Sequence, residues 1–265
     1  LHRPCEAGRV ERAWSQVARW RAPGRAAPHV AGYPTSPNRA SSVHLRWELP
    51  AAAGPVVAAA AVLVVEHAPP VPDLYFWALQ ASFVDAADRH YGAGHVGLQR
   101  HRPHPGSRAV NWGGYAPDGR ILDGSTSPLP SATGNPNTRD LWWDPGQSYT
   151  LAIERAAAGG WAGTVGGVRV RRLAGGGDRL DALMVWSEVF ARCDAPPVAV
   201  RWSEFRATTT QGRVVAPVAV HVNYQRRADG GCDNSTALAD GDAVRQITGT
   251  ERLVPQGARL PLGTP

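Results

Sequence analysis

Short runs of alternating apolar and polar residues, broken by Gly, Pro, Asn and Asp about every eight to twelve residues, constrain this chain more than any other feature. Within residues 43–49, Val43, Leu45 and Trp47 alternate with His44, Arg46 and Glu48, the period of a strand with one wet face. Residues 74–83 are an almost unbroken aromatic and aliphatic run, which predicts a central strand covered on both sides. Further strands are predicted over 59–65, 95–99, 109–115, 120–122, 149–154, 161–165, 168–173, 183–192, 198–206 and 214–224. Pro117-Asp118-Gly119 supplies hairpin chemistry between two of them. Many short strands without a sustained helical period predict an all-β chain, an antiparallel β-sandwich of jelly-roll type in preference to a barrel.

Residues 1–41 differ. Trp14, Val17 and Ala18 have helical spacing, and Pro23, Pro28, Pro34 and Pro37 then break any helix. The expectation is an irregular or short helical N-terminal arm over 1–41, outside the core, and a sandwich domain over 42–265. Residues 124–140 form a Ser, Thr, Pro, Asn and Gly loop without periodicity, a length more often functional than passive.

Composition excludes several classes. The chain has no Lys, so all 28 basic residues are Arg, and the formal charge is +6. Codons for Arg, Ala, Gly and Pro are GC-rich and those for Lys are not, so a GC-rich genome accounts for the bias better than phosphate recognition does. The arginines are scattered, which argues against a nucleic-acid partner. The long apolar run, residues 49–65, contains Pro50 and Pro55 and falls short of the roughly twenty apolar residues of a membrane span. Residues 1–25 are too charged for a secretory apolar segment. With Leu1 first and Met184 the single methionine, the chain reads as a fragment or a mature form.

Three cysteines are present. Cys193 closes a predicted strand and Cys232 lies in a Gly-Gly-Cys-Asp-Asn-Ser loop. A Cys193–Cys232 disulfide is expected, with two buried thiols as the alternative, and it implies an oxidising compartment, secreted or in the cell envelope. Cys5 is left over, and no Cys-x-x-Cys spacing suggests structural zinc.

The candidate site residues come from a repeated tripeptide. Trp186-Ser187-Glu188 and Trp202-Ser203-Glu204 stand sixteen residues apart, each within a predicted strand. Side chains at i and i+2 share a strand face, so each copy offers a Trp beside a carboxylate. Aromatic faces stack on sugars while carboxylates accept from hydroxyls, and Trp112, within Asn111-Trp112-Gly113-Gly114-Tyr115, is a third stacking candidate. Glu188 and Glu204 would also serve as a glycosidase pair if suitably spaced. In the competing reading Met184, Trp186 and Phe190 place that face in the core. His95, His101 and His104 could converge on a metal, but no carboxylate or Cys accompanies them at close spacing, and scattered surface histidines are favoured. Calcium through Asp118, Asp123, Asn135, Asn137 and Asp140 is a minor alternative, so no cofactor is expected. A phosphate-binding loop needs the missing Lys, and no Gly-x-Ser-x-Gly elbow is present.

Several segments together resemble a known group: Asp73-Leu74-Tyr75-Phe76-Trp77-Ala78, His95-Val96-Gly97-Leu98-Gln99, Asp144-Pro145-Gly146 with Tyr149-Thr150-Leu151-Ala152-Ile153, and Trp161-Ala162-Gly163-Thr164-Val165. Their order is similar to a bacterial family of secreted or envelope proteins known as a domain of unknown function. Residues 142–165 also resemble late strands of laminin-G and concanavalin A-like sandwiches. The resemblance implies a concanavalin A-like fold and carries no catalytic residues; the acidic strand cluster of sandwich glucanases has no counterpart here. The combined expectation is an exported, non-catalytic sandwich that binds a polysaccharide or cell-envelope glycan. The alternatives are a glycoside hydrolase or lyase using Glu188 and Glu204, and a structural or protein-interaction module.

Overall fold

A computed structural model describes residues 30–263; the helix expected within 11–20 and Cys5 lie outside the described residues. In chain order the strands begin with β1 (Ser41–Glu48), β2 (Val56–His67), β3 (Tyr75–Val84), β4 (His90–Arg100) and β5 (Arg108–Tyr115). They continue with β6 (Thr138–Asp140), β7 (Ser148–Arg155), β8 (Trp161–Val165), β9 (Val168–Leu173), β10 (Arg179–Val189) and β11 (Val198–Thr209). The last are β12 (Val214–Val215), β13 (Ala219–Tyr224), β14 (Ser235–Asp240), β15 (Ala243–Thr248) and β16 (Arg259–Pro261).

These strands form an antiparallel sandwich. One layer runs β16-β13-β1-β10-β3-β4-β5-β6, and the other runs β14-β15-β11-β2-β7-β8-β9 with β12 flanking β11. Among the described residues the layers join along the ladder only at Leu180 opposite Val56, where β10 meets β2. Alternation along β1 buries Val43, Leu45 and Trp47 between the layers and turns His44, Arg46 and Glu48 outward, as the pattern predicts. Trp77, Trp112, Trp143, Trp161 and Trp202 fill the interior. At Gly97 a Cβ would fall 1.9 Å from the Trp77 carbonyl oxygen, so only glycine lets β4 close onto β3.

Five segments depart from expectation. Pro217 interrupts the strand predicted over 214–224, leaving β12 and β13. The strand at 120–122 shrinks to one bridge between Ile121 and Tyr115. Within 124–140 the chain forms β6, and after Tyr224 it adds β14, β15 and β16, none of them anticipated. Residues 30–40, assigned to the arm, run against the sandwich: Thr35 N–H donates to Gly230 O at 2.9 Å, and Ser36 and Ala40 are buried.

Sheets that face each other need more than apolar contact to fix their offset, and a buried amide supplies it here. Gln246 on β15 is 1% exposed. Its Oε1 accepts from Ser187 Oγ of β10 at 2.6 Å and from Trp202 Nε1 of β11 at 2.8 Å. Its Nε2 donates to the Val43 carbonyl of β1 at 2.9 Å. Both Trp-Ser-Glu copies therefore meet on one side chain, the first through its serine and the second through its tryptophan. Cys193 and Cys232 form the expected disulfide, with Cα atoms 5.5 Å apart.

Gln246→Leu leaves a hydroxyl, an indole N–H and a carbonyl without partners. It is expected to lower unfolding free energy by about 2–4 kcal/mol, measured by guanidinium denaturation at constant m-value. Replacing both Cys193 and Cys232 by Ser reopens a loop with a sequence separation of 39. The loss expected from chain entropy is about 3–4 kcal/mol in the same measurement. A loss below about 1 kcal/mol in either variant would assign the tether no role in stability.

Candidate active site

On the outward face of the β13-β1-β10-β3-β4-β5-β6 layer Phe76, Ala78, Gln99, Asn111 and Trp186 are buried, so β3 is covered on both sides, as its apolar run predicts. Register aligns its side chains into rows. Ser42, Glu188, Phe76, Gln99, Ala109 and Asp140 follow one another across β1, β10, β3, β4, β5 and β6. The next row reads Asn223, His44, Trp186, Ala78, Gly97, Asn111 and Thr138. A third contains His221, Arg46, Met184, Gln80, His95 and Gly113. Titratable and amide groups are thus held on rigid strands rather than on loops.

The floor of the face is aromatic. Trp186 packs edge-on to Phe76 with centroids 4.8 Å apart and lies 5.7 Å from His95 and 6.1 Å from His44. Trp186 Nε1–H donates to Gln80 Oε1 at 3.0 Å, which fixes the ring. Phe76, Ala78 and Trp186 form a small apolar cluster separate from the interior. Burial among these rings lowers the pKa of His44 and of His95 to about 4, so both imidazoles are neutral above that pH.

Glu188 stands at the edge of this floor. Desolvation raises its pKa, and a hydrogen bond from Asn38 Nδ2 to its Oε1, 2.8 Å long, opposes the rise. Its Oε2 makes no hydrogen bond among the described residues. Two strands away in the same row, Gln99 is 6% exposed, and its Oε1 is buried without a partner. Two strand spacings separate the two Cα atoms by about 10 Å, a gap that two extended side chains narrow across Phe76. Asn111, diagonal to Gln99, also has a buried Oδ1 without a partner, while its Nδ2 donates to Thr138 Oγ1 at 2.9 Å. Two unmatched amide oxygens in the rows that also carry a desolvated carboxyl mark this face as the candidate site. Gln99 and Asn38 were absent from the sequence-based candidates. A Gln inside a strand has no local signature, and Asn38 lay in the segment assigned to the arm.

The other candidates separate. Trp186 and Glu188 do share a face. Trp202 and Glu204 do not, because a register shift between Ser203 and Arg206 inserts a bulge in β11. Trp202 turns inward to Gln246, and Glu204, at φ 49°, turns outward and lies 3.9 Å from Arg206. Glu188 and Glu204 therefore sit on opposite outer faces of the sandwich and cannot flank one glycosidic bond. Trp112 is fully buried between the layers, so it offers no ring to a ligand.

His95 joins the aromatic floor, whereas His101 and His104 lie beyond the end of β4 with centroids 5.0 Å apart. His104 Nδ1 lies 2.5 Å from Asp140 Oδ1. Among the described residues no group of three His, Cys, Asp or Glu side chains is placed to hold a metal ion. Of the proposed calcium residues, Asp118 pairs with Arg120, Asp140 with His104, and Asn135 Oδ1 accepts from the Asn137 N–H. No described helix is long and apolar enough to cross a membrane.

No family model matches the chain, and no curated protein matches it. Among solved structures, a scytalidoglutamic peptidase with a peptide-based transition-state analogue is 10% identical with a TM-score of 0.45, covering 78% of this chain and 97% of that one. SCP-B, a member of the eqolisin family of peptidases in complex with the tripeptide Ala-Ile-His, is 10% identical with a TM-score of 0.43 and the same coverage, 78% and 97%. These similar structures are peptidases, not glycan-binding modules. The expectation of a non-catalytic carbohydrate-binding sandwich is corrected: of its three stacking rings, Trp112 and Trp202 are in the interior, and Trp186 is 6% exposed beneath its neighbours.

The raised pKa of Glu188 gives a signed expectation. A group whose folded pKa exceeds its unfolded value stabilises the fold fully below the unfolded pKa and loses that contribution as pH rises through the folded one. Glu188→Gln is permanently neutral. Thermal melts of the wild type and this variant should run parallel below pH 4.5, with the wild type falling relative to the variant at higher pH. Parallel curves throughout would mean that Glu188 is not desolvated.

Proposed function

We propose that this chain is a hydrolase acting on peptide bonds under mildly acidic conditions, with Glu188 and Gln99 as its working pair. The observation that carries this is a desolvated carboxyl with one oxygen free of hydrogen bonds, in one row with a glutamine whose carbonyl oxygen is unmatched. A raised pKa brings both protonation states of Glu188 within reach in weak acid, as one group that acts first as base and then as acid requires. Ionised Glu188 takes a proton from a water as that water attacks the scissile carbonyl. The Gln99 amide group donates to the oxygen on which charge develops. Protonated Glu188 then delivers the proton to the leaving nitrogen, so protons and electrons balance without a cofactor.

The surroundings support a peptide as substrate. An extended chain laid over the sheet face carries carbonyl oxygens for the Gln99 amide N–H and apolar side chains that suit the Phe76 and Trp186 floor. The Cys193–Cys232 disulfide supports an extracytoplasmic location for the activity.

The test is hydrolysis of an unfolded protein and of a quenched-fluorescence peptide library between pH 3 and 7. Glu188→Gln is expected to lower kcat by at least about a hundredfold with an unchanged melting temperature at acid pH. Glu204→Gln is expected to retain wild-type activity. Full turnover in Glu188→Gln, or no cleavage of any peptide by the wild type, would overturn the proposal.

A further inference from the structure

The turn that leads into β1 is built around one side chain. Arg39 N–H donates to Ser36 O at 2.8 Å, closing a turn over 36–39. Arg39 itself adopts φ 59°, a left-handed conformation that a residue with a Cβ occupies only under local constraint. Ser36 and Ala40, at its two ends, are 4% and 0% exposed, so the turn is anchored rather than loose. Between them stands Asn38. The Ala40 N–H reaches Asn38 Oδ1 at 3.2 Å, and Ser36 Oγ lies 3.0 Å from the same oxygen. Ser36 Oγ has one proton and lies closer to the Ala40 carbonyl, at 2.6 Å, so the Ala40 N–H is the donor that orients the Asn38 oxygen and turns its nitrogen to the other side. There Asn38 Nδ2 meets Glu188 Oε1 at 2.8 Å.

We propose that Asn38 is a positioning residue for Glu188: the turn over 36–39 locks its amide so that Oε1 of the carboxyl is held and Oε2 is left to face the substrate. This rests on the reading of Glu188 as the acid–base group. It assigns a role in the site to a residue outside the strands. A carboxyl on a three-bond side chain rotates unless one oxygen is fixed, and misorientation of a reacting group by a fraction of an ångström is costly to rate. The same hydrogen bond favours the ionised carboxyl and so moderates the effect of burial.

The groups that face Glu188 from each neighbouring element are few. Ser42 comes from β1, Phe76 from β3 and, beyond it, Gln99 from β4. The ionisable side chains nearest in the rows are His44 on β1 and His95 on β4, both neutral above about pH 4, and Arg39 in the turn. Titration of Glu188 above that pH is therefore governed by burial and by Asn38.

Two variants of the full chain test this. Asn38→Asp keeps an oxygen for the Ala40 N–H but sets a second carboxylate against Glu188 where the donor stood; Asn38→Leu removes the donor without adding charge and is the cleaner test. Glu188 is followed by carboxyl 13C chemical shift against pH without substrate, its signal assigned by its loss in Glu188→Gln. Both variants are expected to move the Glu188 titration to higher pH, Asn38→Asp the further. In the peptide assay each should lower kcat on the order of tenfold with KM little changed, and shift the pH of maximal activity in the same direction. An unchanged titration in both variants overturns the proposal whatever the activity. A shifted titration in a chain that cleaves no peptide upholds the positioning contact and removes the hydrolase reading instead.

Discussion

One buried amide holds the geometry on which the rest depends. Gln246 reaches from the second layer to three strands at once, and one of its partners is Ser187, the residue between Trp186 and Glu188. In a strand, successive side chains point to opposite faces. A hydrogen bond on Ser187 from the interior therefore fixes the outward aim of its two neighbours. The interior contact and the exposed site are two sides of one strand segment. A change at Gln246 that loosened Ser187 would be felt at Glu188 without touching the open face.

The titratable groups of that face shift in opposite senses for a common reason. Burial disfavours charge, which raises the Glu188 pKa and lowers those of His44 and His95 to about 4. Between pH 4 and the raised value of Glu188, this part of the face is largely uncharged. The stability consequences run opposite ways. Neutral Glu188 contributes below its usual pKa and fades as pH rises, whereas the neutral imidazoles contribute above their usual 6.5 and fade as pH falls toward 4. Weak acid is where both contributions are partly retained.

Much of the fold was legible because alternation is a strong signal. The alternation of Val43, Leu45 and Trp47 assigns the faces of β1, and the unbroken run through β3 marks a strand covered on both sides. The bulge in β11 was not legible. It inserts a residue between Ser203 and Arg206 relative to the neighbouring strand, and nothing in Trp-Ser-Glu distinguishes the bulged copy from the regular one. Identical tripeptides thus take opposite roles, one presenting its Trp to the open face and the other to the interior. The β14–β15 hairpin was missed for a different reason: Ala, Ser, Thr and Gln hold most of its buried positions, and the contrast between small and polar residues is weak. Gln99 and Gln246, which matter most to the site and to the layers, look alike in sequence. Only the partners separate them, three for Gln246 and none for the Gln99 oxygen.

That difference bears on where function resides in a sandwich. An interior that leaves an amide oxygen unmatched forfeits about 1–3 kcal/mol, so such atoms persist where something outside the chain completes them or where packing allows no alternative. At Gln99 packing is the tighter constraint than it first looks. Its backbone carbonyl accepts from Trp143 Nε1 at 3.2 Å, and Gly97, two residues earlier, brings β4 against β3. The strand is held from both ends, and the side chain between them has little freedom to seek a partner. A rigid strand bearing an unsatisfied amide next to a desolvated acid is a poor way to gain stability and a good way to hold reacting groups in place. The pairing of those two groups in one row of the sheet, rather than any short motif, is what marks this face.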